Sequence, residues 1–220
     1  MDIGRSFTYV LEDEEWWKKV LLGGLISLIP IVGQFFAMGY VLEVLGNVIA
    51  GRDTPLPEVL DDFGGRLVKG LLAGVIMLVY GLPLLIVLVC PAVGVPLASS
   101  ASADPDTAGV IATVASICFG CLSALYGVVL GLVQPFAWGR YVETGQFGEA
   151  FKLGEIFNAI KENLGPAFIV LLVNALAIML ASAVGSILCG IGLFFTAFYA
   201  QLVMAYLFGS LYRQARPALQ

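Results

Sequence analysis

Charged positions cut this chain into long oily stretches joined by short polar ones, and the stretches have the length of membrane-crossing helices. Pro166 to Ser186 and Leu193 to Tyr212 each run for about 20 residues, enough to cross a hydrocarbon layer roughly 30 Å thick. The turn Leu188-Cys189-Gly190-Ile191-Gly192 joins them. Leu67 to Val89 is also long enough to cross, with a kink predicted where Gly81 and Pro83 interrupt it. Val110 to Gln134 crosses back before Pro135. Between these two lies a polar loop, Ala98 to Ala108, containing Asp104, Pro105 and Asp106.

The first oily block, Val20 to Ala50, is longer than one span but is divided by Pro30 and Gly33. It reads in two ways: a tight hairpin that enters and leaves on one side, or one tilted span ending near Tyr40 with Glu43, Asn47 and Arg52 beyond it. Two amphipathic segments flank the oily blocks. Ile3, Phe7, Val10 and Leu11 recur at helical spacing opposite Asp2, Arg5, Ser6 and Glu12, which predicts a helix lying in the headgroup plane. Leu153, Ile156, Phe157, Ile160 and Leu164 make a second stripe, with Lys152, Glu155, Asn158, Glu162 and Asn163 mostly opposite. Trp16, Trp17 and Trp138 are expected as interface anchors.

The pattern therefore predicts an all-α, polytopic helical membrane protein with five or six membrane segments and two cytoplasmic-side surface helices. Its parts are a surface helix over 1–19, a broken apolar hairpin over 20–50, a connector over 51–66, a central hairpin over 67–134, a surface helix and loop over 139–165, and a C-terminal hairpin over 166–212. A surface helix feeding an oily hairpin in each half would be the trace of a duplicated unit. Amphipathic flanks common to all membrane proteins explain the same pattern.

Composition sharpens this picture. The 220 residues are 60% hydrophobic and 12% charged, with a mean hydropathy of +0.96, which leaves too little polar surface for a soluble enzyme. The 11 Lys and Arg against 16 Asp and Glu form no basic run, so nucleic acid is not an expected partner. Histidine is absent, which removes the commonest general base and metal ligand. The N-terminus carries Asp2 and the run Glu12 to Glu15 instead of a basic start, so no cleaved signal peptide is expected.

Basic residues prefer cytoplasmic flanks. On the hairpin reading with a cytoplasmic N-terminus, all eleven fall inside: Arg5, Lys18, Lys19, Arg52, Arg66, Lys69, Arg140, Lys152, Lys161, Arg213 and Arg216. The single-span reading moves the first three outside. The charge rule thus favours the hairpin and a multi-pass protein of the cell membrane with both termini cytoplasmic.

Leu56-Pro57-Glu58, Asp61-Asp62-Phe63, Gly70, Tyr80 and Pro83, with Phe7, Tyr9, Glu12-Asp13, Trp16 and Gly39-Tyr40 before them, give the chain a further mark. In these residues it resembles domain of unknown function family 4013, archaeal and bacterial multispan membrane proteins. The resemblance implies fold and location and supplies no catalytic residues. On the residues themselves, Leu56-Pro57 makes an extended connector, with Leu60 and Phe63 expected on the membrane surface and Glu58, Asp61 and Asp62 in water.

Polar groups at membrane depth are candidates for function. Glu43 leads, because Tyr40 and Asn47 lie three and four residues away on its helical face, and Gln34 lies on the same block. It reads as a proton or cation site, or as a boundary carboxylate reaching Arg52 or water. Asn174 and Gln201 are expected to tie helices together. Small residues at Gly70 and Gly74, at Gly120, and at Gly127 and Gly131 mark close helix packing, inside the bundle by default. Cys118 and Cys121 are expected as buried small hydrophobes, and Cys90 and Cys189 as an outside pair able to meet in an oxidising compartment.

No cofactor or metal is expected, and three functions compete. A non-enzymatic structural, accessory or lipid-interacting membrane component, with lipid, self-association or other membrane subunits as partners, ranks first. A small-solute or ion transporter using the broken block 20–50 ranks second. An intramembrane lipid enzyme using Asp61, Asp62 or Glu43 ranks last, since no nucleophile and base pair can be named.

Overall fold

The computed structural model describes residues 3–52, 54, 56–100, 105–187 and 192–219, and among these every regular element is helical. The order is α1 (Ile3–Thr8), α2 (Trp16–Ser27), α3 (Val32–Ile49), α4 (Phe63–Ser100), α5 (Pro105–Thr144), α6 (Leu153–Glu162), α7 (Leu164–Ile187) and α8 (Gly192–Ala215). Short 3-10 turns follow α1, α5 and α8. Among the described residues five helices are long and apolar enough to cross a membrane: Val32–Ile49, Phe63–Leu85, Ala112–Thr144, Leu164–Ile187 and Gly192–Ala215. The chain forms two compact units, Met1–Ile76 with Leu132–Gln220, and Met77–Gly131.

The larger unit is built around α8. From Phe198 to Tyr212 this helix is buried at most positions, because its surface is oily on every side and α1, α2, α3 and α7 all pack on it. The block Val20 to Ala50 folds as a hairpin of two unequal helices. At 12 residues α2 is about 18 Å long, short of a bilayer core. The chain reverses over Leu28 to Ile31, where a side chain at Gly33 would strike the carbonyl of Ile26 at 2.0 Å. At the other end, Lys19 of α2 and Tyr40 of α3 both reach the same connector, so the two limbs return to one level.

Small residues set the spacing of α3 and α4. A Cβ on Gly39 would lie 1.9 Å from the carbonyl oxygen of Arg66, and one on Gly70 would lie 1.7 Å from that of Phe35. Gly74 faces the Phe35 ring, and Phe36 stacks on Phe63 with ring centroids 4.6 Å apart.

The amphipathic segments differ from expectation in an informative way. The N-terminal stripe does not stay on one face, because a 3-10 turn over Tyr9–Glu12 shifts its phase. Tyr9 and Val10 are buried against α8, the Tyr9 hydroxyl donates to the Leu202 carbonyl at 2.7 Å, and Ile3 and Leu11 remain exposed. Helix α6 divides its stripe: Ile156, Ala159 and Ile160 are buried, whereas Leu153 and Phe157 are exposed with Lys161 over the Phe157 ring.

Helix α5 runs through Pro135 to Thr144 instead of ending before it. Its last turns, Phe136 to Tyr141, are buried, and Gly139 abuts the Tyr212 ring. Trp138 is therefore not an interface anchor. It is 2% exposed and packs edge-on against Phe208, 6.3 Å between centroids, because the continued helix carries it into the protein core. Trp17 is exposed and Trp16 half-buried.

In the smaller unit α4 continues helical through Gly81 and Pro83, and the Tyr126 hydroxyl donates to the Tyr80 carbonyl at 2.7 Å. Pro83 has no N–H for the carbonyl four residues before it, that of Val79, so the ladder is interrupted one residue from the carbonyl that Tyr126 reaches. Cys118 and Cys121 are exposed on α5 and not buried inside the protein, since an oily surroundings can stand in for a core. The suggested pairing of Cys90 and Cys189 falls outside the described residues.

Candidate functional site

The connector between α3 and α4 has backbone groups with no ladder to satisfy them, because Pro57 holds Leu56 out of helical geometry. Four consecutive carbonyls are instead taken by side chains from three helices. Lys19 Nζ donates to Leu56 O at 2.7 Å, Tyr40 Oη to Pro57 O at 2.8 Å, and Arg66 Nη1 to Glu58 O and Val59 O at 2.5 and 2.6 Å. Leu56 and Val59 are buried at 2% and 1% exposure.

Charge is balanced inside the same cluster. Arg66 is 1% exposed, its Nε donates to Glu43 Oε2 at 2.6 Å, and its guanidinium lies 5.1 Å from the Tyr40 ring centroid. Lys19, also buried, donates in addition to Asp13 Oδ2 at 3.0 Å and pairs ionically with Glu58, 3.3 Å away. Asp13 Oδ2 accepts the Leu56 amide at 2.7 Å and Oδ1 the Glu15 amide at 2.9 Å. Burial pushes the Asp13 carboxyl up, but the Lys19 bond and the two amides outweigh it and hold it below the usual carboxylate range. A buried cation paired with a carboxylate and bonded to carbonyls avoids the desolvation cost of a lone charge.

A second ionic cluster joins the end of α5 to α6 and the C-terminal turn. Buried Arg140 lies between Glu149 and Glu155, Lys152 bridges the same two carboxylates, and Glu143 accepts from Tyr212 at 2.6 Å and pairs with Arg216. The Lys152 bond and then the Arg140 bond hold the Glu149 carboxyl below its ordinary range.

Glu43 finds its partner in Arg66, and Tyr40, expected beside it, gives its hydroxyl to the connector. Asn47 and Glu43 share a cavity of about 290 Å³ with Lys69 and Tyr141. Gln34 is apart from them, donating to the Ser27 carbonyl at 3.3 Å across the hairpin turn. Asn174 and Gln201 line a separate cavity of about 230 Å³ between α7 and α8, where Asn174 Oδ1 is buried without a hydrogen-bond partner. An apolar cleft of about 350 Å³ runs beside Phe7, Trp16, Leu180, Phe195 and Tyr199. Gly70 and Gly74 are in tight contact; a Cβ at Gly120 or Gly127 would meet nothing within 4 Å, and Gly131 is half-buried. Among the described residues no group of three His, Cys, Asp or Glu could hold a metal.

Sequence reasoning did not single out Lys19 or Arg66, which read as ordinary flanking charges, and gave Asp13 only as a mark of the family. A signal was present in the connector, whose proline leaves carbonyls that require donors from elsewhere. Which cations supply them is not encoded locally.

Five apolar helices among the described residues, two of them (α3 and α4) fastened to a polar connector through Tyr40 and Arg66, define a multi-pass helical membrane protein. The chain belongs to the family described as Protein of unknown function (DUF4013), which matches residues 22–191. The cradle falls largely on residues that carried the resemblance: Asp13, Gly39-Tyr40 and Leu56-Pro57-Glu58 meet around Lys19 and Arg66. No curated protein and no solved structure matches the chain.

Proposed function

We propose that this protein is a non-enzymatic structural or accessory component of the cell membrane that holds lipid and partner subunits, with both termini cytoplasmic. The observation that carries this reading is the engagement of Glu43 by Arg66 within the connector cradle. The most suspicious intramembrane carboxylate is thereby part of a fastening, and its charge is neutralised in place. Gln34, Asn174 and Gln201 do not continue a path from it, since Gln34 bonds the hairpin turn and Asn174 with Gln201 face a different cavity. Orientation rests on the cytoplasmic preference of the eleven basic residues.

The inventory of lipids and proteins retained after purification in mild detergent tests this reading. Stoichiometric lipid, self-association or partner subunits are expected; a bare monomer without lipid would overturn it. A transporter is the second reading, favoured by the cavity that Glu43 lines. It requires proton or solute flux in liposomes that Glu43→Gln abolishes.

A further inference from the structure

We propose that the cavity beside Glu43 receives the phosphodiester headgroup of a membrane lipid, one that bears a hydrogen-bond donor beyond its phosphate. This inference rests on the lipid-holding role above and gives it a place and a ligand class. Three helices wall the cavity, through Glu43 and Asn47 of α3, Lys69 of α4 and Tyr141 of α5. Its volume of about 290 Å³ is that of a small-molecule site.

The donors that line it are uncommitted. Lys69, like Arg52, Lys161 and Arg213, makes no ion pair with a described residue, and of these four it is the one that lines the cavity. Tyr141 is 7% exposed and lines the cavity, and its hydroxyl makes no hydrogen bond to a described residue, which leaves it free for a ligand there. The Asn47 amide is likewise unbonded among the described residues. One ammonium, one hydroxyl and one amide converging on a pocket suit the oxygens of a phosphate.

Charge agrees with a monoanion. Arg66 neutralises Glu43, which leaves Lys69 as the net positive charge. Glu43 Oε2 is taken by Arg66, and the other oxygen is left to accept from an ammonium or hydroxyl on the ligand. Lys69 lies six residues into α4, roughly 9 Å from its start, so it belongs to the end of the helix and not to its middle. A phosphate ester is the shared chemistry, and a soluble phosphate would use the same donors, so the experiment separates the two sources.

The full chain in detergent is unfolded thermally with short-chain phosphatidylglycerol, phosphatidylethanolamine, phosphatidylcholine, diacylglycerol or inorganic phosphate. The first two should raise Tm most, phosphatidylcholine less because it has no donor, and diacylglycerol and phosphate little. Lys69→Gln and Tyr141→Phe, each with wild-type Tm in the absence of lipid, should weaken the phosphatidylglycerol response by about tenfold. An equal response to inorganic phosphate, an equal response to diacylglycerol, or unchanged affinity in both variants would overturn the proposal. If both variants keep the headgroup preference while the wild type still retains lipid on purification, this inference fails alone. A wild type that carries neither lipid nor partner removes the structural reading beneath it as well.

Discussion

Helix α5 passes through both units, and its oily side chains are covered differently in its two parts. Over residues 112–131, Val114, Ile117, Leu122 and Leu125 are exposed at 51–67%. After Pro135, Phe136, Ala137 and Trp138 are exposed at no more than 2%. The same contrast holds between glycines: Gly39 and Gly70 sit against backbone, whereas Gly120 and Gly127 face open space. The lesson is that apolar surface within a membrane protein has two acceptable neighbours, protein and lipid, and that tight spacing plus polar fastening distinguishes the first. The larger unit has such fastenings in the connector cradle and the Arg140 cluster, while in the smaller unit Tyr126 bonds the Tyr80 carbonyl.

The sharpest way to break this comparison is to add bulk to a glycine in each unit. Gly70→Leu should abolish monodisperse folded protein on size exclusion in detergent, because its Cβ would lie 1.7 Å from a carbonyl oxygen that cannot yield. Gly127→Leu should leave the elution profile unchanged, and its failure to do so would mean that a partner covers that face.

Next in size is the cradle. Arg66→Met strands the Glu58 and Val59 carbonyls and leaves Glu43 unpaired, and should cost about 3–5 kcal/mol in detergent unfolding. Arg66→Lys should restore only part, since an ammonium cannot reproduce the planar fork.

The Asp13 contribution is pH-dependent with a definite sign. Its folded pKa is depressed, so the stabilisation is fully present above the unfolded value of about 4 and is lost as pH falls through the lower folded value. Thermal unfolding between pH 7 and pH 3 should show a decline that Asp13→Asn lessens, and a parallel decline in both proteins would remove Asp13 from the account.

The smallest effects compare single phenols. Tyr40→Phe and Tyr126→Phe each delete one hydrogen bond to a carbonyl, and each should cost about 1 kcal/mol. Gly120→Ala should be neutral or stabilise by up to about 1 kcal/mol, through helix propensity alone.

Much of this architecture was legible from residue order. Oily run lengths predicted the long helices, and Pro30 with Gly33 marked the reversal between α2 and α3. Glu43 stood out because a carboxylate in an oily block is conspicuous in any arrangement. Its partner was not legible: Arg66 lies 23 residues away, and Asp13 meets Leu56 across 43 residues, separations that leave no local periodicity to read.

The sequence by itself determined that the chain is helical, membrane-crossing and charged at its flanks, since hydropathy and helix length depend only on neighbouring residues. Tertiary structure alone decided that Trp138 and Val10 are core and Leu125 is not, that Arg66 fastens a connector, and that Lys69 and Tyr141 share a pocket with Glu43. The physical reason is that lipid and protein interior are alike in polarity, so an oily residue carries no sign of which will cover it. A charge likewise carries no sign of its partner until distant helices are brought together.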